Sequence, residues 1–104
     1  MVVVFEGRAG TNPYSAECPH VVHLKDREEF YLFRTQRYGQ YPQTSVYCSK
    51  NPLDFGINDD RCFVCTLPVA APEIIHHNGN FYMASLRDDL KGIKIARLKW
   101  VPKG

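Results

Sequence analysis

Apolar and polar residues in this chain alternate over short runs, and no segment of useful length carries a helical period. The runs Val2–Glu6, His20–Leu24, Glu29–Thr35, Thr44–Ser49, Arg61–Leu67, Glu73–His77, Asn80–Leu86 and Gly92–Trp100 are rich in Val, Ile, Tyr and Phe. Turn-forming residues bound them, so each reads as a β-strand and the chain as all-β. Lys25-Asp26-Arg27-Glu28 and His77-Asn78-Gly79-Asn80 read as hairpin connections. The second is the stronger signal, because Gly accepts the positive φ that a tight hairpin turn needs. Asn51-Pro52 through Gly56, with Asn58-Asp59-Asp60, reads as a longer loop.

Part of this pattern occurs twice. Ala16-Glu17-Cys18-Pro19-His20-Val21-Val22 returns as Ala70-Ala71-Pro72-Glu73-Ile74-Ile75, and an aromatic strand follows each copy. Pro19 and Pro72 are 53 residues apart, and Tyr31 and Tyr82 are 51 apart. A period of about 50 residues built from short strands is the spacing of β-propeller blades. The expected architecture is a single domain over 1–104, a partial β-propeller of about two four-stranded antiparallel blades at about 16–67 and 70–101. The second unit supplies only three strands after Pro72, and Val2–Glu6 is the candidate for its missing fourth. Sheet edges or faces left open recruit partners, so a homo-oligomer is expected.

Composition narrows the function classes. With 13 Lys and Arg against 11 Asp and Glu the net charge is only +2, and the basic residues are dispersed, so no nucleic-acid partner is expected. Arg34, Arg37, Lys91, Lys94, Arg97 and Lys99 read as a solvated face. No run reaches the roughly 20 apolar residues of a membrane span, and no membrane partner is expected. Met1–Phe5 meets Glu6 at once and lacks the form of a signal peptide, which favours the cytoplasm. The four cysteines include Cys62-Phe63-Val64-Cys65, but residues three apart on a strand point to opposite faces. The four are read as reduced thiols, and no metal or other cofactor is expected.

The candidate chemistry centres on Glu17. Pro19 is expected to hold Cys18 extended and to place Glu17 just before an inner strand, at the mouth of the sheet assembly, where loops on a rigid scaffold commonly carry function. A carboxylic acid kept protonated there by burial can donate a proton to a leaving oxygen. The alternative is a solvated or N–H-capping carboxylate. His20 and Glu73, beside the two prolines, are candidates for binding hydroxyl groups, and Arg34 and Arg87 are read as ending equivalent second strands where a substrate-binding Arg is placed. Asp88 and Asp89 read as turn residues. His76 and His77 end a strand candidate, and His77 borders the Asn78-Gly79 turn. Tyr38, Tyr41 and Tyr47 suit either sugar stacking or strand packing, and Trp100 reads as the cover of a sheet end.

Glu17-Cys18-Pro19-His20, Tyr31-Leu32-Phe33, Ser49-Lys50-Asn51-Pro52-Leu53-Asp54-Phe55, Ala71-Pro72-Glu73-Ile74-Ile75, Gly79, Tyr82 and Ile95-Ala96-Arg97, in this order, resemble successive blades of the five-bladed furanosidase-type glycoside hydrolases of families 32 and 43. The resemblance runs from about Ala16 onward and spans about two of the five blades. It implies hydrolysis of carbohydrate with Glu17 as general acid, the Glu of a Glu-Cys-Pro motif. It also implies a second carboxylate, an Asp from an earlier blade, which has no matching position here: Glu6 is the sole carboxylate before Glu17. Glycoside hydrolysis generally uses a pair of carboxylates across the sugar. The expectation is a half-site that becomes catalytic only if missing blades or a partner complete it. The rival readings are a non-catalytic carbohydrate-binding or assembly module, and a gene fragment without retained activity.

Overall fold

The computed structural model describes residues 1–4, 17–56 and 61–100. Seven strands follow in order: β1 (Glu17–Leu24), β2 (Glu29–Arg37), β3 (Gln43–Ser49), β4 (Phe63–Leu67), β5 (Ala70–His77), β6 (Asn80–Leu86) and β7 (Ile93–Leu98). They form two antiparallel sheets, one of order β1-β2-β3-β4 and one of order β5-β6-β7. The all-β reading holds, and each of the seven strands overlaps a run that the hydrophobic pattern put there, although β1 and β5 each begin three residues earlier than expected, at Glu17 and Ala70. The expected strand at Val2–Glu6 is different. Met1–Val4 lie in no strand and are exposed, and Phe5 and Glu6 are outside the described residues. The second sheet is therefore three-stranded among the described residues.

The repeat is carried by pairing as well as by sequence. In the first sheet Glu17 faces Thr35, His20 faces Phe33 and Val22 faces Tyr31. Their counterparts in the second are Ala70 with Leu86, Glu73 with Ala84 and Ile75 with Tyr82. Both first strands are bulged at the same place, between Glu17 and His20 and between Ala70 and Glu73. Cys18 (φ 46°) and Ala71 (φ 50°) take the left-handed side of the map directly before Pro19 and Pro72. The expectation that proline would hold Cys18 extended is thus corrected. The bulge inserts an extra residue into β1, and the pre-proline residue absorbs the change of direction through its φ. The two hairpins close differently. In the first, a 3-10 turn at Lys25–Arg27 ends at Glu28 (φ 51°), whose N–H donates to the Lys25 carbonyl at 3.2 Å. In the second, Asn78 and Gly79 both have positive φ, the requirement of a two-residue hairpin turn.

The core is built on both faces of the first sheet. Towards the second sheet it buries Phe33, Val46, Thr35 and Thr44, and Val69 before β5 and Ala70 and Pro72 within it are buried as well. Burying a side chain such as Phe33 contributes about 1.5–3 kcal/mol. On the other face Leu32, Tyr47 and Phe55 cluster, with Phe30 and Cys62 beside them. Phe55 reaches that cluster because its loop is folded by short side-chain bonds. The Asn51 amide oxygen accepts from Leu53 N–H at 3.0 Å, and the Asp54 carboxylate accepts from Gly56 N–H at 3.1 Å. Arg61 pairs with Asp54 across the loop, and that contact, with the Gly56 bond behind it, holds the Asp54 carboxyl below its ordinary range.

Candidate functional site

Glu17 opens β1 opposite the buried Thr35, and its side chain is exposed. The burial expected of it is absent among the described residues. Its neighbour Cys18, turned outward by the bulge, places its Sγ 2.8 Å from the Tyr38 hydroxyl. Desolvation first, then the Cys18 contact and the nearby Glu17 charge, push the Tyr38 hydroxyl up to about 12. Glu17, Cys18 and Tyr38 thus form one polar group around the start of β1. Tyr38 stands 20 residues beyond Cys18, and only the fold of the β1–β2 hairpin brings them together.

His20 follows the bulge and takes a structural position. Its Nε2 accepts the main-chain N–H of Ile74 at 2.9 Å, which ties β1 to β5 and removes that nitrogen from any ligand. The bond leaves the proton of a neutral ring on Nδ1. Glu73, directly before Ile74, is exposed and makes no ion pair among the described residues.

The two arginines are not equivalent. The register that sets Phe30 against Ser49 and Phe81 against Leu98 makes Ser85, not Arg87, the counterpart of Arg34. Arg34 lies inside β2 on the face turned away from the second sheet. Its guanidinium stacks 4.5 Å from the centre of the Tyr47 ring and hydrogen-bonds the Tyr47 hydroxyl. It is half-buried, which corrects its placement on a solvated face. Arg87 stands beyond the end of β6, paired with Asp89 at 2.9 Å in the turn before β7. Asp88, in the same turn, pairs with Lys94 at 3.2 Å. Of the five residues chosen from sequence, Glu17 and His20 lie on β1 and Glu73 on β5, Arg34 lies on the far face of the first sheet, and Arg87 lies in the turn after β6.

The other candidates resolve into packing. His76 stacks on Phe81 with centroids 4.2 Å apart, as its counterpart His23 stacks on Phe30 at 4.3 Å. His77 contacts the Asn78 side chain at 3.1 Å within the turn. No cluster of three or more metal-ligating side chains occurs among the described residues. All four cysteines are free. Cys62 joins the Leu32 cluster, whereas Cys65 faces Val46 on the other side of the sheet, and burial pushes its thiol up. Trp100 crosses between the sheets and meets Tyr31 at 4.6 Å and Phe81 at 5.6 Å.

Two cavities flank Trp100, one of about 490 Å³ lined by Arg27, Tyr31, Phe33, Cys48 and Cys65, the other of about 630 Å³ lined by His23, Lys25, His76 and Phe81. Glu17, His20, Arg34, Glu73 and Arg87 line neither. Of these five, Glu17, Glu73 and Arg87 are exposed and His20 and Arg34 are half-buried. Among the described residues no helix is long and apolar enough to cross a membrane. The sequence matches no protein-family model and no curated protein.

Proposed function

We propose that the two sheets are successive blades of a propeller-type carbohydrate-active fold, and that the chain carries half of a glycoside-hydrolysing site with Glu17 as its proton donor. The observation that supports this reading is the bulge that recurs before Pro19 in β1 and before Pro72 in β5, two strands that lie against each other where the sheets meet. Glu17 stands at the entrance of the first, in the Glu-Cys-Pro order of furanosidase-type enzymes. A sugar lying across that entrance would meet Glu17, and its bulk would supply the burial that Glu17 lacks alone.

A second reading is a carbohydrate-binding or assembly module without catalysis. It is favoured by the exposure of Glu17 and by the use of His20 Nε2 in holding the sheets together. Amide-shift mapping with arabinofuranosyl, xylosyl and fructosyl oligosaccharides tests both. Hydrolysis and non-catalytic carbohydrate binding both expect saturable shifts at Glu17, Cys18 and His20, and an assembly module expects none. Shifts confined to other strands, or no shifts at all, would remove the carbohydrate assignment.

A further inference from the structure

The second sheet leaves one face uncovered. Ile75 on β5, Tyr82, Ala84 and Leu86 on β6, and Ile93 and Ile95 on β7 share that face by register. Ile75, Ile93 and Ile95 are exposed to 49, 63 and 70%. Contiguous apolar surface of this kind marks an interaction site on a soluble protein. The internal repeat shows what such a face does in this fold. The matching positions of the first sheet, Val22, Tyr31, Phe33, Thr35, Thr44 and Val46, are the ones on which the second sheet packs.

We propose that this face docks the same face of a second copy of the chain, forming a two-fold symmetric dimer. Both faces of the first sheet are occupied, one by the second sheet and the other by the loop that inserts Phe55 against Leu32 and Tyr47. The inner face of the second sheet packs on the first. Among the described residues this leaves the outer face of the second sheet as the open apolar sheet surface, so the partner face is its own copy and the contact is isologous. The charges agree. Glu73 on β5 and Arg97 on β7 flank the patch on opposite sides of β6, and neither makes an ion pair within the described residues. Arg97 lies over the Tyr82 ring, 5.8 Å from its centre. A two-fold axis passing between them, near Ala84, carries Glu73 of each copy onto Arg97 of the other, and the small Ala84 side chain allows close approach on that axis.

Sedimentation velocity of the full chain at roughly 50 µM tests the proposal, since association follows concentration. The expected particle has about twice the 12.0 kDa chain mass. Ile95→Asp, at an exposed position, is expected to weaken association at least tenfold while leaving the circular dichroism spectrum unchanged. Glu73→Arg is expected to weaken it and Glu73→Arg with Arg97→Glu to restore it. A monomer at that concentration overturns the proposal, as does a dimer indifferent to Ile95→Asp. Failure of the double charge swap to restore association overturns the two-fold pairing. These outcomes are independent of carbohydrate binding, which is read by the amide-shift experiment.

Discussion

His20 accepts the main-chain N–H of Ile74 through Nε2 at 2.9 Å, and with this bond the first strands of the two sheets are locked side by side. A second tie lies deeper. Thr44 Oγ1 donates to the Val69 carbonyl at 2.7 Å, and Ala71 N–H donates to Thr35 Oγ1 at 2.8 Å. The connection into β5 is thus hydrogen-bonded to buried hydroxyls of β2 and β3. Apolar packing on either face brings the sheets together, but these bonds fix their relative position, because a buried donor or acceptor without a partner is costly.

Thr35→Val keeps the shape of the side chain and strands the Ala71 N–H in the interior. The expected loss is about 1–3 kcal/mol, the cost of a buried unsatisfied group. Thr44→Val strands the Val69 carbonyl and is expected to cost a similar amount. Urea unfolding curves measure both. The double mutant should cost less than the sum, since Thr35 and Thr44 approach each other at 3.4 Å and share one network. Additive losses would show the two bonds to be independent.

Ala71 holds a positive φ of 50° with a Cβ, a conformation that disfavours L-residues by roughly 1–2 kcal/mol. Ala71→Gly relieves that cost and adds about 0.5–1 kcal/mol of unfolded-state entropy. The net expectation is a chain at least as stable as the original, by up to about 1 kcal/mol. A clear loss of melting temperature would show that the methyl group packs usefully at the bulge.

Much of the fold was legible in the sequence, and the reasons are local. Alternation over Phe30–Thr35 and Phe81–Leu86, with Asn78-Gly79 between β5 and β6, sets strands and hairpins before any tertiary contact is known. The repeat was legible too, since Pro19 and Pro72 mark bulges that recur in the structure. The conformation of Cys18 was not, because pre-proline sterics favour an extended backbone and the bulge overrides them. Arg34 and Arg87 each close an aromatic-rich run and so read as the ends of equivalent second strands, yet register decides such matches, and register is set by pairing with β3 and β7. The motif Asn51-Pro52-Leu53-Asp54-Phe55 is accounted for by its turn bonds and the insertion of Phe55 into the core. The contact of Cys18 with Tyr38 had no sequence signal, as it depends on how β1 and the end of β2 come together.

Tyr38 offers a pH test of that contact. Its hydroxyl is pushed up to about 12 from the ordinary value of 10.0, so the neutral form is preferred in the folded chain. The unfolded chain releases the proton first. The associated stability is fully present below about pH 10 and is lost as pH rises through about 12. An ultraviolet tyrosinate titration should show a late-ionising step that Tyr38→Phe removes. A titration in which Tyr38→Phe removes an early step instead would refute the Cys18 contact.

The catalytic prediction follows from Glu17 standing alone at the start of β1. Proton donation by a positioned acid contributes roughly 10²–10⁴-fold to a rate, but an oxocarbenium-like transition state also needs an opposed carboxylate as nucleophile or base. Glu73, the candidate carboxylate on β5, shares a face with Ile75 and Tyr82, the face of the second sheet turned away from the first. The purified chain is therefore expected to release no more than a trace of phenol from aryl arabinofuranosides, xylosides and fructosides. Any trace should vanish in Glu17→Gln, whose amide keeps the shape but has no acidic proton. Robust turnover that survives Glu17→Gln would place the working acid elsewhere and end the half-site reading. Turnover lost in Glu17→Gln and also in Glu73→Gln would instead show that the two strands already hold a complete carboxylate pair.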